Sequence, residues 1–158
     1  MEYKKALYKA AALCSQQERC CSEIRKKLIK WELSEEEAEE AIQFLKDEKY
    51  IEEQRFAEFF VRDKFRFNGW GKIKIKYHLK QKEIANSLIE NAMEEIDSSE
   101  YLIKLAELLQ GKLRSIKNKD LWQTKAALAR FGQSRGFEPH LVFQCINEIM
   151  TNEDEILT

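Results

Sequence analysis

The feature that most constrains this chain is a pattern that comes round three times. CSEIRKKLIKWELSEEEAEEAIQFL (21–45) aligns with KIKIKYHLKQKEIANSLIENAMEEI (72–96) at an offset of 51, so that Ile24 meets Ile75, Leu28 meets Leu79, Leu33 meets Ile84 and Ala41-Ile42 meets Ala92-Met93. LWQTKAALARFGQSRGFEPHLVFQCINEI (121–149) is a third copy after a short insertion, with Leu128 in the place of Leu79, Phe137 in that of Ile84 and Cys145-Ile146 in that of Ala92-Met93. A period near fifty residues signals tandem units, each too small to bury its apolar face alone.

Capping chemistry supports the alignment. Each copy carries an apolar residue, a possible cap, and a second apolar residue four positions after the cap: Leu33-Ser34-Ala38, Ile84-Ala85-Ile89 and Phe137-Glu138-Val142. That is the arrangement of a hydrophobic staple at a helix N-terminus. Ser34 with Glu37 predicts a capping box, Asp120 with Gln123 another, and Pro139 suits a first helical position. Ala85 is a poor cap, so the start of that helix is the least defined. A further helix should precede each pair: 2–16, 53–67 and 99–116, the last with Leu102, Leu105, Ala106 and Leu109 at spacings of three and four.

The expected fold is therefore all-α, three tandem three-helix repeats forming an elongated, curved array. Its predicted boundaries are 1–50, 51–97 and 98–150, with an acidic tail over 151–158 that should fray. One segment conflicts. KIKIKYHL alternates apolar and basic residues, which taken alone argues for a strand. The matching segments do not alternate and no partner strand is evident, so a helix is expected. On that helix Ile75 and Leu79 share a face while Ile73 and Tyr77 lie together well away from it, either exposed among lysines or, the preferred reading, packed against a neighbouring unit.

Composition sets limits. One proline and five glycines in 158 residues leave little turn punctuation, which favours helix over sheet. No apolar run approaches the roughly 18 residues of a membrane span, and the apolar part of MEYKKALYKAAALC is too short and broken for a signal peptide. A cytoplasmic protein, off the membrane and monomeric, is expected. Cys14, Cys20, Cys21 and Cys145 form no CxxC, and only His78 and His140 could join a metal site, so reduced thiols, no metal and no cofactor are predicted. No phosphate-cradling glycine loop, HExxH or nucleophile with a base at motif spacing is present, which speaks against an enzyme and assigns no catalytic residue. His78 reads as a surface or interface histidine.

Charge is arranged in blocks behind a net charge of −1. From Glu32 to Glu58 eleven acidic residues face three cations. From Arg62 to Lys82 eight cations (Arg62, Lys64, Arg66, Lys72, Lys74, Lys76, Lys80, Lys82) face only Asp63. From Lys112 to Arg135 seven face only Asp120. Such blocks suit acidic protein surface or phosphates, and an ordinary solvated helix face is the plain alternative. Phe56, Phe59 and Phe60 are expected in the core, whereas Trp70, between Gly69 and Gly71, is the better candidate for exposure. The candidate partner-binding residues are the eight cations of 62–82 with Trp70, Lys125, Arg130 and Arg135.

Several segments resemble the RecX family in that family's order. IEEQRFAEFFV (51–61) is similar to its acidic pair followed by Arg-Phe-Ala, and RDKFRFNGWGKIKIKYHLKQKEI (62–84) to its glycine-containing basic segment. RCCSEIRKKL (19–28) and RGFEPHLVFQCI (135–146) resemble two further elements. Departures are Glu52-Glu53 for an aspartate pair, Glu83 where glycine is usual, which puts the turn there in doubt, and Cys20 where a serine cap is usual. The resemblance implies a regulator of DNA repair and recombination that binds the RecA nucleoprotein filament and inhibits strand exchange and ATPase activity, with possible direct contact to single- or double-stranded DNA. A helical DNA-binding regulator acting without RecA is the alternative.

Overall fold

The computed structural model describes the backbone of residues 1–157 and the side chains of residues 1–151. Among the described residues nine helices follow one another: α1 (Tyr3–Gln16), α2 (Cys21–Lys30), α3 (Glu35–Asp47), α4 (Glu53–Arg66), α5 (Lys72–Gln81), α6 (Asn86–Met93), α7 (Ser98–Ser115), α8 (Leu121–Ser134) and α9 (Pro139–Leu157). No strand occurs among the described residues. The chain is all-α, and its helices come in threes. The fraying expected of the acidic tail over 151–158 concerns residues that, past 151, lie outside those whose side chains are described.

Helix starts follow the capping chemistry. Ser34 accepts from the Glu37 amide while the Glu37 carboxylate takes the Ser34 amide, each at 3.1 Å. Asp120 and Gln123 form the second box, at 2.7 and 3.3 Å. Asp97 caps α7 by accepting from the Glu100 amide at 3.0 Å. Cys20 occupies the cap position of α2 without bonding the backbone there, as a weak cap would. All six staple residues, Leu33, Ala38, Ile84, Ile89, Phe137 and Val142, are buried.

Helix ends reveal what repeats. Glu32, Glu83 and Gly136 all have left-handed backbone, at φ 70°, 62° and 91°. Around them the Leu33 amide bonds the Leu28 carbonyl, Ile84 bonds Leu79 and Phe137 bonds Gly132, each at 3.2 Å. The left-handed residue itself bonds back to Ile29, Lys80 or Gln133, each at 2.9 Å. These are three copies of one Schellman turn. Glu83 thus makes the turn that glycine would make. The turns also correct the register of the third copy: Gly132, not Leu128, stands in the place of Leu28 and Leu79, and Leu128 in that of Ile24 and Ile75. The insertion is an extra turn at the start of α8, which has 14 residues where α2 and α5 have 10. A Cβ on Gly132 would approach Val142 Cγ1 to 2.8 Å, so α8 meets α9 closely at the position where the other copies have leucine.

KIKIKYHL is helical, and its alternation is resolved by burial. Ile75 and Leu79 are fully buried, whereas Ile73 and Tyr77 are 49% and 59% exposed, nearer the exposed reading of that pair than the preferred one. Leu102 is likewise half exposed; the buried face of α7 is Tyr101, Leu105 and Leu109. Phe56 and Phe60 are core residues, and Phe59 is partly buried.

By packing, the chain forms two compact units that do not coincide with the repeats. The first comprises Met1–Phe60 and His78–Met93, the second Val61–Tyr77 and the chain from Glu94 onward. Within the first, the start of α2 is tied to later segments: the Cys21 amide bonds Glu53 at 3.2 Å, Ser22 Oγ donates to the Lys82 carbonyl at 2.7 Å, and Arg55 meets Glu18 at 2.6 Å. Within the second, the start of α5 is tied in the same sense. The Gly71 amide bonds the Arg135 carbonyl at 2.7 Å, the Ile73 amide bonds the Gly136 carbonyl at 2.9 Å, and the Lys72 amide bonds the Tyr101 hydroxyl at 2.9 Å. In each unit, then, the middle helix of one repeat begins against the turn between the second and third helices of the next.

A candidate partner-binding surface

The basic segment is built around that second junction. A Cβ on Gly71 would collide with Gly136 C and O and with the Phe137 amide nitrogen, so only glycine lets the two backbones meet. Tyr101, buried, receives the Lys72 amide and donates its hydroxyl to the Glu138 carboxylate. Burial first, and the carboxylate second, push the phenol far above its ordinary range, so it stays a neutral donor. Phe65, Tyr101 and Phe137 pack as a row, with ring centroids 5.8 and 5.0 Å apart. These groups fix where α4 ends and α5 begins, and with them the cations between.

Those cations differ in their surroundings. Lys64 and Lys74 approach the Trp70 ring, at 5.2 and 4.7 Å from its centroid. Trp70 is thus partly buried between two cations and is less exposed than expected. Lys72 lies over the Tyr101 ring at 4.8 Å. Arg62 is paired with Glu95 at 3.1 Å. Arg66 is exposed and Lys76 partly so. Arg135 donates to the Asn68 carbonyl at 3.1 Å and lies 5.3 Å from the Phe131 ring centre, which brings it to this segment. Lys125 is half-buried on α8 and Arg130 is exposed there.

Lys80 and Lys82 belong to the first compact unit, where Lys80 is exposed and Lys82 meets Glu23 at 3.4 Å. Ten of the twelve candidates thus belong to the second compact unit and two to the first. Sequence reasoning did not single out Lys112, Lys117 and Lys119, which line a groove with Arg130. Their signal was the second basic block itself. No group of three or more His, Cys, Asp or Glu among the described residues is placed to hold a metal ion. No helix of the described chain is long and apolar enough to cross a membrane.

Repeated three-helix units define the class: an all-α helical repeat protein, with cations gathered around an aromatic-buttressed junction. The comparisons with known proteins narrow it. Residues 6–45 match the family model described as RecX, first three-helix domain, and 53–93 the model described as RecX, second three-helix domain. The chain is 30% identical over 146 residues to the regulatory protein RecX of Chlorobium phaeobacteroides, covering 92% of this chain and 94% of that one. It is 32% identical over 159 residues to the regulatory protein RecX of Oceanobacillus iheyensis, covering 98% of this chain but only 58% of the relative's length. The crystal structure of RecX from Lactobacillus salivarius superposes with a TM-score of 0.82 at 21% identity, covering 94% of this chain and 97% of that one. This chain belongs to the RecX family of regulatory proteins.

Proposed function

We propose that this protein binds the RecA nucleoprotein filament and restrains its strand exchange and ATPase activity, acting in the cytoplasm as a monomer, by contact and without catalysis. The observation that carries the reading is the relationship to regulatory proteins of the RecX family along nearly the whole chain. The repeat boundaries 1–50, 51–97 and 98–150 are part of the same proposal. The basic residues supply the physical means. An array of small helical units exposes much surface for its length, as repeat proteins do, and a filament offers an extended target. Contact is assigned to the cations of 62–82, with Trp70, Lys125, Arg130 and Arg135 as further contacts. Contact with DNA inside the filament would use the same charges.

The test uses cations whose side chains are exposed. Arg66→Glu combined with Lys80→Glu should leave the helical spectrum and melting temperature nearly unchanged, because exposed charges contribute little to folding. Inhibition of RecA-driven strand exchange should fall sharply, and added salt should weaken the wild type in the same way. Glu36→Lys with Glu40→Lys, on the exposed acidic face of α3, is the control and should matter less. Undiminished inhibition by the basic reversal would remove the assigned surface, and a wild type that never co-sediments with RecA filaments would remove the function.

A further inference from the structure

The second basic block builds a concave feature. The end of α7, the loop after it and one face of α8 enclose a groove of about 560 Å³ lined by Lys112, Lys117, Lys119 and Arg130 around Ile116 and Phe131. Among the described residues no acidic one lines it. The nearest acid in sequence, Asp120, is occupied with the Gln123 amide as the cap of α8. None of the four cations has an ion pair among the described residues. Lys112 rests 5.6 Å from the Phe131 ring centre, and Arg135 approaches the same ring.

Helix electrostatics explain only part of this. Lys112 and Arg114 sit in the last turn of α7, where the helix dipole favours positive charge. Lys117 and Lys119 lie beyond the helix end, and Arg130 lies well inside α8. Their gathering around a shared concavity costs mutual repulsion that nothing in the groove offsets. An anion of several charges would offset it.

We propose that this groove binds the phosphodiester backbone of a single nucleic-acid strand. It deepens the preceding reading by placing DNA contact at residues that all lie outside the 62–82 segment. Ser115 Oγ donates to the Lys112 carbonyl at 2.6 Å and Ser134 Oγ to the Phe131 carbonyl at 2.8 Å. With both hydroxyl protons taken, the side-chain donors the groove offers an anion are those of its lysines and arginine. Four cations lining one groove match the repeated charge of a run of phosphates. The groove is open to solvent and lined in part by Ile116, Ala127 and Phe131, so sugars and bases of an unpaired strand can enter where a duplex could offer only its outer phosphates.

The experiment omits RecA, so it can fail without touching the filament reading. The full chain is titrated against a fluorescently labelled oligothymidylate and anisotropy is followed over a range of salt. Wild-type affinity should fall steeply with salt, by about 0.7 log units per log unit of salt for each phosphate neutralised. Lys117→Gln, Lys119→Gln and Arg130→Gln combined should lower that slope by about 2 and weaken binding about tenfold or more, with an unchanged helical spectrum. Arg66→Glu with Lys80→Glu should leave a substantial part of the slope in place. An unaltered slope in the triple variant overturns the site, as does a wild type with no affinity for the strand. Tripolyphosphate competing as well per phosphate as the oligomer would make free polyphosphate the ligand and overturn the strand assignment; duplex binding as tightly as the single strand would do the same.

Discussion

Gly136→Ala is the substitution that interrogates the α5 junction most directly. The residue sits at φ 91°, where a β-carbon costs roughly 1–2 kcal/mol. That carbon would also collide with Lys74 Cβ and stand 2.7 Å from the Lys74 nitrogen, which are parts of α5 and not the movable end of a side chain. Relief requires α5 to retreat, stretching the Gly71–Arg135 and Ile73–Gly136 hydrogen bonds, each contributing about 0.5–1.5 kcal/mol. Together the loss should be about 2–5 kcal/mol, a large part of the stability of an ordinary domain. Urea unfolding followed by circular dichroism measures it. Gly71→Ala, at a residue without left-handed backbone but with the same backbone contact, should cost less, about 1–3 kcal/mol. Glu83→Gly, at the equivalent turn, should go the other way and stabilise by about 0.5–1 kcal/mol, because strain relief outweighs the added freedom of the unfolded chain. A Gly136→Ala protein within about 0.5 kcal/mol of wild type would refute the account of the junction.

Two further outcomes follow from buried groups. Tyr101→Phe removes the hydroxyl that links the Lys72 amide to the Glu138 carboxylate and should cost about 1–3 kcal/mol in the same unfolding assay; a neutral change would mean water replaces the hydroxyl without loss. Burial pushes the thiols of Cys14 and Cys21 up to about 11, above their unfolded range near 8.5, so the stability they contribute is complete below about pH 8.5 and is lost as pH rises toward 11. Melting temperatures across that interval should fall for the wild type and fall less for Cys14→Ala with Cys21→Ala, and equal declines would remove the thiols as the cause.

Much of the fold could be read from residues acting locally. Ser34 with Glu37, Asp120 with Gln123, and the three staple pairs placed helix starts because caps and staples depend on neighbours a few positions away. The left-handed turns were partly hidden, since two of the three use glutamate and owe their geometry to the burial of Leu33 and Ile84 rather than to a permissive residue. The register of the third copy was misread because Leu128 satisfied the apolar pattern as well as Gly132 concealed it; the close approach of Val142 to that glycine is a contact between residues ten positions apart on two helices. Tyr101 was missed because its polar roles come from Lys72 and Glu138, distant in sequence. The charge blocks marked where a partner-binding surface would be. They could not show that Arg62 and Lys82 spend their charge on Glu95 and Glu23, or that Trp70 is held between two lysines.

The two glycines at the α5 junction also limit how damage there could be repaired. Where two side chains press together, enlarging one can be suppressed by trimming the other. Here an alanine at 71 would press on the backbone of Gly136 and Phe137, and neither can lose an atom that matters. An alanine at 136 would press on Lys74, whose β-carbon is the one side-chain atom in the way. Glycine at 74 would remove that atom alone, leaving the Lys74 nitrogen 2.7 Å away, and would do so at the expense of helix propensity in α5 and of the cation beside Trp70. Lys74 was singled out for its charge, yet its first side-chain carbon is what the neighbouring turn has been shaped to meet.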